Sequence, residues 1–321
     1  LSMQQKAIHG AADAADLETE LAVTQSNLGL LLSQAGEAAE SKALLEQAIK
    51  HLTRLSPSQG ELASRALSAS LANLGSLTLD SDPAATVALF EWAIEERVSK
   101  IDPSTDRLKG ASELANLYNN LGSAYLRMAR PRKSEGSFRE AEELFRQLCQ
   151  IAPLVKQHHL DLAMCSSNLS VALKEQSRGR EALKYADEAI RLQSNAVRST
   201  ARDSSIDRSR LYSRLGALHQ KRAHCLISMD QLDLAEQSLH KAIECQDRAL
   251  SLANGASDAR RLILGHYSCL IQCQLRSKDI RSIRQTANAY RSAASKDPAM
   301  LEKVTEELVE VDRQLKTDLA I

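Results

Sequence analysis

The chain has little with which to do chemistry by itself. Aromatic residues make up 3% of its 321 positions, and there are six prolines and six cysteines. Lys plus Arg is 41 and Asp plus Glu is 41, so no charge excess of either sign exists to hold a polyanion. No uninterrupted apolar run approaches the length of a membrane-spanning helix. Residues 1–9 are too polar for a secretion signal. No Gly-rich phosphate loop occurs; Ser177-Arg178-Gly179-Arg180 has a single Gly and reads as a turn. No nucleophile has a base at a recognisable spacing, so no catalytic residue and no cofactor is assigned. Nucleic acid, membrane and small-molecule substrates are all excluded as partners. Cysteines at 149, 165, 225, 245, 269 and 273 fit no disulfide framework in a chain this long. Most fall in helical apolar patterns, where a thiol serves as a small hydrophobe, which suits a reducing, cytoplasmic setting.

Ala and Leu predominate, while the β-branched and aromatic runs that make strands are missing. A unit recurs along this helical background. Leu121-Gly122 is followed by Tyr125, Ser134, Phe138 and Ala141. Asn27-Leu28-Gly29 leads to Ser41, Leu45 and Ala48, and Asn73-Leu74-Gly75 to Thr86, Phe90 and Ala93. Asn168-Leu169-Ser170 leads to Ala182, Ala186 and Ala189. In the fifth unit Ala223, and not Gly216, takes the small position, because only that register keeps the interval to Ala242 at nineteen. Gly216 then lies outside the helix crossing. The sixth offers Leu270-Ile271 or Cys269-Leu270, followed by Ile283, Ala287 and Tyr290.

Ser56-Pro57, Asp82-Pro83, Asp102-Pro103, Pro131, Ala152-Pro153 and Asp297-Pro298 punctuate the units, since the residue before a proline is pushed out of the α region. The polar stretch 195–207 is the candidate for a longer loop or hinge. Residues 1–10 read as the tail of a truncated helix, and the initial Leu suggests a fragment. From Pro298, Leu301, Val304, Leu308, Val311 and Leu315 form one apolar stripe, expected to cap the array over 297–321.

This helix–turn–helix signature resembles the tetratricopeptide repeat without its Trp. The intervals run 46 (29 to 75), 47 (75 to 122), 48 (122 to 170) and 53 (170 to 223). The family's standard is about 34, so the helices are expected to be lengthened. The pattern over residues 11–296 resembles the long repeats of kinesin light chains and the repeat tails of bacterial Ser/Thr kinases. The resemblance implies an all-α, right-handed superhelical solenoid of five to six antiparallel helix pairs with a C-terminal capping helix. It implies a protein-interaction scaffold for a peptide or partner protein. The alternative is the non-catalytic regulatory region of a larger kinase whose catalysis lies upstream of Leu1.

In the family the first helices line a concave groove. Asn27, Asn73, Asn120 and Asn168 occupy one position there, similar to the asparagine ladders of some members. A carboxamide offers both a donor and an acceptor, so a row of them can hold a peptide backbone whatever its side chains. Arg127 and Lys174, with Asp80 and Glu175, are placed along the same groove. The competing reading is that the Asn residues are solvated or tie neighbouring helices together. The family's carboxylate clamp needs Asn directly after the Gly; those positions hold Leu30, Ser76, Ser123 and Val171, so the clamp is rejected. His266, Cys269 and Cys273 share a helix face, and imidazole and thiol are ligand types that zinc takes. They are also core positions of the sixth repeat, and no metal is assigned.

Overall fold

The computed structural model describes residues 14–99, 110–200, 205–253 and 257–319. Among them the only regular structure is helical, in twelve segments. These are α1 (Ala14–Ala35), α2 (Ala38–Thr78), α3 (Pro83–Val98), α4 (Ala111–Arg127), α5 (Pro131–Ile151), α6 (Lys156–Glu175), α7 (Gly179–Ser199), α8 (Ser205–Ser228), α9 (Leu232–Leu252), α10 (Ser257–Ser277), α11 (Ile280–Ala294) and α12 (Pro298–Leu319). The class is all-α, a solenoid of antiparallel helix pairs. In the second unit the described helices are lengthened: α7 and α9 have 21 residues each and α8 has 24. Two compact units divide at His158/His159. Residues 1–10, Asp102-Pro103 and 201–204 lie outside the described residues; helix covers the flanks of the 195–207 stretch up to Ser199 and from Ser205.

In the first unit the pairs cross at the glycines. An ideal Cβ on Gly122 would lie 2.6 Å from two ring carbons of Phe138, and one on Gly29 2.8 Å from Leu45 Cγ. A hydroxyl fastens each crossing. Ser41 Oγ donates to the Gly29 carbonyl (2.7 Å), Thr86 Oγ1 to that of Gly75 (3.2 Å) and Ser134 Oγ to that of Gly122 (2.7 Å). Around them Leu52, Leu67, Phe90, Leu121 and Tyr125 form the buried core.

Pro57 does not interrupt helical backbone, contrary to the expectation that Ser56-Pro57 breaks the helix; α2 runs unbroken from Ala38 to Thr78. Its axis nevertheless reverses. Ser41 bonds Gly29, while Ser70 Oγ donates to Ser26 Oγ at 2.8 Å, one turn away on α1. A straight helix would hold Ser41 and Ser70 about 43 Å apart. Two helices therefore abut within α2 with no intervening coil. A proline allows this because the first turn of a new helix leaves its N–H groups unpaired anyway. Pro83, Pro131, Pro153 and Pro298 lie at helix boundaries, as the sequence predicts. Pro83 and Pro131 open α3 and α5, and Asp82 caps α3 by accepting from Ala85 N–H at 3.0 Å.

In the second unit Ala223, Leu226, Ala235, Leu239 and Ala242 are all fully buried, as their register requires. Gly216, however, is not outside the crossing. Its Cβ would meet the Ala242 carbonyl at 3.0 Å and His266 Nε2 at 3.3 Å. The lengthened α8 makes a second close approach about two turns earlier. The core continues through Ile263, Ile271 and Tyr290 to Val304, Leu308 and Val311 of α12.

One backbone device repeats through both units. Gly36, Ala129, Ser177, Asp230 and Lys278 all have positive φ, between 53° and 89°. Each lies seven residues after a crossing position: 29, 122, 170, 223 and 271. The residue after each donates back to a carbonyl five positions earlier, as Arg130 does to Tyr125 at 2.9 Å and Asp279 to Gln274 at 3.2 Å. This left-handed stop satisfies the last carbonyls of the first helix and turns the chain into the second. It also fixes the sixth register at Leu270-Ile271. The second repeat is one residue shorter between Gly75 and Pro83 and has no such residue, so its deletion lies in the turn. Only Gly36 takes the left-handed form without steric cost. Ala129→Gly should therefore raise stability by about 1 kcal/mol and Gly36→Ala lower it by about as much. Chemical melts of both variants check this.

Candidate functional site

The first helices of the first unit's repeats leave an open cleft of about 530 Å³. Val23, Ser26 and Asn27 enter it from α1, at steps of three and one that share a helix face. The later part of α2 contributes Leu62, Arg65, Ala66, Ala69, Ala72 and Asn73, and α4 contributes Glu113, Asn116, Leu117 and Asn120. The floor is largely alanine, which lets a ligand come close to the helices. Asn27, Asn73 and Asn120 thus share one cleft. None of the three carboxamides is bonded to another protein group among the described residues, whereas Asn116 Nδ2 donates to Ser112 O at 2.8 Å.

One end of the cleft is charged. Glu113 accepts from Arg65 at 2.5 Å through one oxygen and faces Arg97 at 3.1 Å through the other. Arg97 is only 3% exposed and lies beneath the surface. Gly110 makes room for it: a Cβ there would collide with Arg97 Nη2, and its φ of +78° also favours glycine. Two guanidiniums on one carboxylate leave this end net positive. Nothing in the repeat pattern singles out Arg65, Glu113 or Leu62. Asn116 could have been found, since it lies four residues before Asn120 on the same face.

A tetratricopeptide-repeat family model matches residues 21–50 and 162–196. A comparison with curated protein sequences finds no match. Similar structures include BtubC (BKLC) from P. vanneervenii, at 16% identity and TM-score 0.58, covering 81% of this chain and 91% of that one. A putative kinesin light chain with tetratricopeptide-like repeats from Podosopora anserina has 18% identity and TM-score 0.50, covering 73% and 98%. A Rap protein complexed with Competence and Sporulation Factor has 12% identity and TM-score 0.52, covering 93% and 87%. The two matched stretches are tetratricopeptide repeats, and the other helix pairs share their fold. At these identities the structural likeness is one of fold.

Asn168, in the fourth tetratricopeptide repeat, belongs to the second unit and is engaged differently. Its Oδ1 accepts from Lys221 Nζ at 3.3 Å, and Ser167 Oγ accepts from the same ammonium at 2.9 Å. Lys221 holds the equivalent position of the fifth repeat, so here the position ties two neighbouring helices together. Burial pushes the Lys221 ammonium below its ordinary pKa. Arg127 pairs with Asp80 at 3.0 Å and Lys174 with Glu175 at 2.9 Å. The Arg127 pair is well exposed, and such pairs contribute little to stability. Neither cation lines the cleft of the three asparagines.

His266, Cys269 and Cys273 do not converge. His266 Nδ1 meets Gln220 Oε1 at 2.9 Å, Gln220 Nε2 donates to Cys269 Sγ at 2.8 Å, and Cys273 Sγ turns to the Leu232 carbonyl at 3.6 Å. Burial raises both thiols, Cys273 to about 11. Among the described residues no three His, Cys, Asp or Glu side chains are placed to hold a metal ion. All six cysteines are free thiols. Nor is any described helix long and apolar enough to cross a membrane.

Proposed function

We propose that this chain is a protein-interaction scaffold, acting by binding and not by catalysis, and that the first-unit cleft takes an extended peptide segment of its partner. The observation that carries this is the convergence of Asn27, Asn73 and Asn120, from three successive repeats, with their hydrogen-bonding groups unspent. Each carboxamide can donate to a peptide carbonyl and accept from a peptide N–H. The Rap protein of the same fold is complexed with Competence and Sporulation Factor, which supports a binding role. Six free thiols suit a reducing cytoplasm. In the second unit, Asn168 would have to leave Lys221 to take part, so the ladder proposed here has three members. Arg127 and Lys174 remain candidates for contacts beyond the cleft.

The test begins with a random-peptide display selection against the full chain. Calorimetric titration of selected peptides then compares the wild type with Asn73→Ala and Asn120→Ala. Each variant should lose about 1 kcal/mol of affinity, roughly fivefold, and by similar amounts for peptides of different sequence. Neither should melt appreciably early. Asn168→Ala should show the reverse, a loss of stability with little loss of affinity, because it strips an acceptor from a half-buried ammonium. Early melting of the Asn73 and Asn120 variants with unchanged affinity would make all four residues structural ties and end the cleft reading.

A further inference from the structure

The spacing of the three carboxamides constrains the shape of what they hold, if the cleft is the binding site proposed above. They stand at one position on adjacent first helices. These helices touch directly: Ser26 Oγ and Ser70 Oγ are 2.8 Å apart, and Arg65 reaches across to Glu113. Packed helices in such contact have axes about 8–10 Å apart. A ligand gripped by every carboxamide must therefore present the same backbone face at about that interval.

A β-strand does this poorly. It advances about 3.3 Å per residue and turns successive residues to opposite faces, so it repeats a face at about 6.7 Å or about 13 Å. At about 10 Å, three residues on, the wrong face looks at the cleft. An α-helix repeats a face after seven residues at about 10.5 Å, but its carbonyls and N–H groups are already bonded within the helix. The polyproline II helix has three residues per turn and a rise of about 3.1 Å, so one face returns every 9.3 Å or so, with no internal hydrogen bonds. Its carbonyls are free to accept from Asn Nδ2.

From this match we infer that the first-unit cleft is a receptor for a polyproline II segment. Carbonyls at ligand positions i, i+3 and i+6 lie against Asn27, Asn73 and Asn120 in turn, in one direction or the other. The apolar floor fits the same partner. Ala66, Ala69 and Ala72 leave space for backbone to approach, and Val23 and Leu62 offer aliphatic surface to pyrrolidine rings. Proline costs the ligand little ordering entropy, because φ is already fixed. The occupant is thus a proline-rich segment of at least seven residues.

The test uses acetylated, amidated oligoprolines of four, seven and ten residues, and a ten-residue Gly-Ser peptide as the flexible control, titrated against the full chain. Four residues reach two carboxamides and seven reach all three. Affinity should rise about fivefold from four to seven residues and less than about twofold from seven to ten. The Gly-Ser peptide should bind at least about tenfold more weakly than decaproline, since it pays the ordering cost in full. Asn73→Ala should cut heptaproline affinity about fivefold; Asn120→Ala serves in its place if that variant melts early. The inference is overturned if oligoprolines do not bind, bind no better than the Gly-Ser peptide, or bind the Asn variants unchanged. If oligoprolines fail while display-selected peptides still depend on Asn73, only the conformational assignment falls. If no selected peptide depends on it, the binding site itself is lost.

Discussion

Gly122→Leu should lower the melting temperature of the chain by several degrees, the loss falling in the first unit. The Phe138 ring that occupies the space beside Gly122 is fully buried, so it has nowhere to retreat. Overpacking of this kind costs about 1–3 kcal/mol or more, since α4 and α5 must separate or their side chains leave their rotamers. Gly136 provides the contrast. It lies on the exposed face of α5 with nothing within 4 Å of its Cβ direction. Gly136→Ala should raise stability by up to about 1 kcal/mol, through helix propensity alone. Combining Gly122→Ala with Phe138→Leu should recover part of the single-variant losses, because the two residues share one contact. Equal destabilisation at 122 and 136 would mean the repeats do not cross at the glycine.

The second large effect is an acid weakening of the second unit between pH 6.5 and pH 4. His266 is 1% exposed, and burial pushes its pKa down to about 4. His219 is also pushed down to about 4, by burial first and then by Lys241 and Arg222. In the unfolded chain both return to about 6.5 and bind protons more readily than in the fold. Stability is therefore complete above pH 6.5 and is lost as pH falls toward 4. For His266 the loss amounts to about 3 kcal/mol over the whole window and about 2 kcal/mol by pH 5. His219 adds less, because it is partly exposed. Hydrogen exchange of α10 amides at pH 7 and pH 5 reads the effect. His266→Gln keeps a donor for Gln220 without titrating, so it should flatten the profile. An unchanged slope in that variant would place the acid sensitivity elsewhere.

The fold was legible because its signals are redundant. Small residues at the crossings, aromatic or Leu partners four residues beyond the hydroxyl, and prolines at Pro83, Pro131 and Pro298 each mark the same boundaries. Pro57 misled because a proline limits only its own φ and the residue before it, which is compatible with two helices meeting end to end. The left-handed residues were illegible for the opposite reason. Ala129, Ser177 and Lys278 have side chains that argue against positive φ, and Asp230 only tolerates it; the helix pair imposes it, and only Gly36 advertises it. Gly216 was misjudged because a long α8 has room for two close approaches, and repeat arithmetic finds only one. The asparagine position was readable as a repeat position. Its split into three unengaged carboxamides and one held by Lys221 was not, because Lys221 lies 53 residues beyond Asn168.

The hydroxyl fasteners at Ser41, Thr86 and Ser134 have no counterpart at the equivalent Ala182, Ala235 and Ile283. The first unit's crossings are held by directional bonds as well as by burial. Those of the second lack a hydroxyl at this position and rely there on aliphatic surface, whose driving force weakens on cooling. Refrigeration should therefore act unevenly along one polypeptide. Near freezing, the amides of α8 to α11 should exchange relatively faster than those of α4 and α5, giving a chain whose softer end depends on the thermometer.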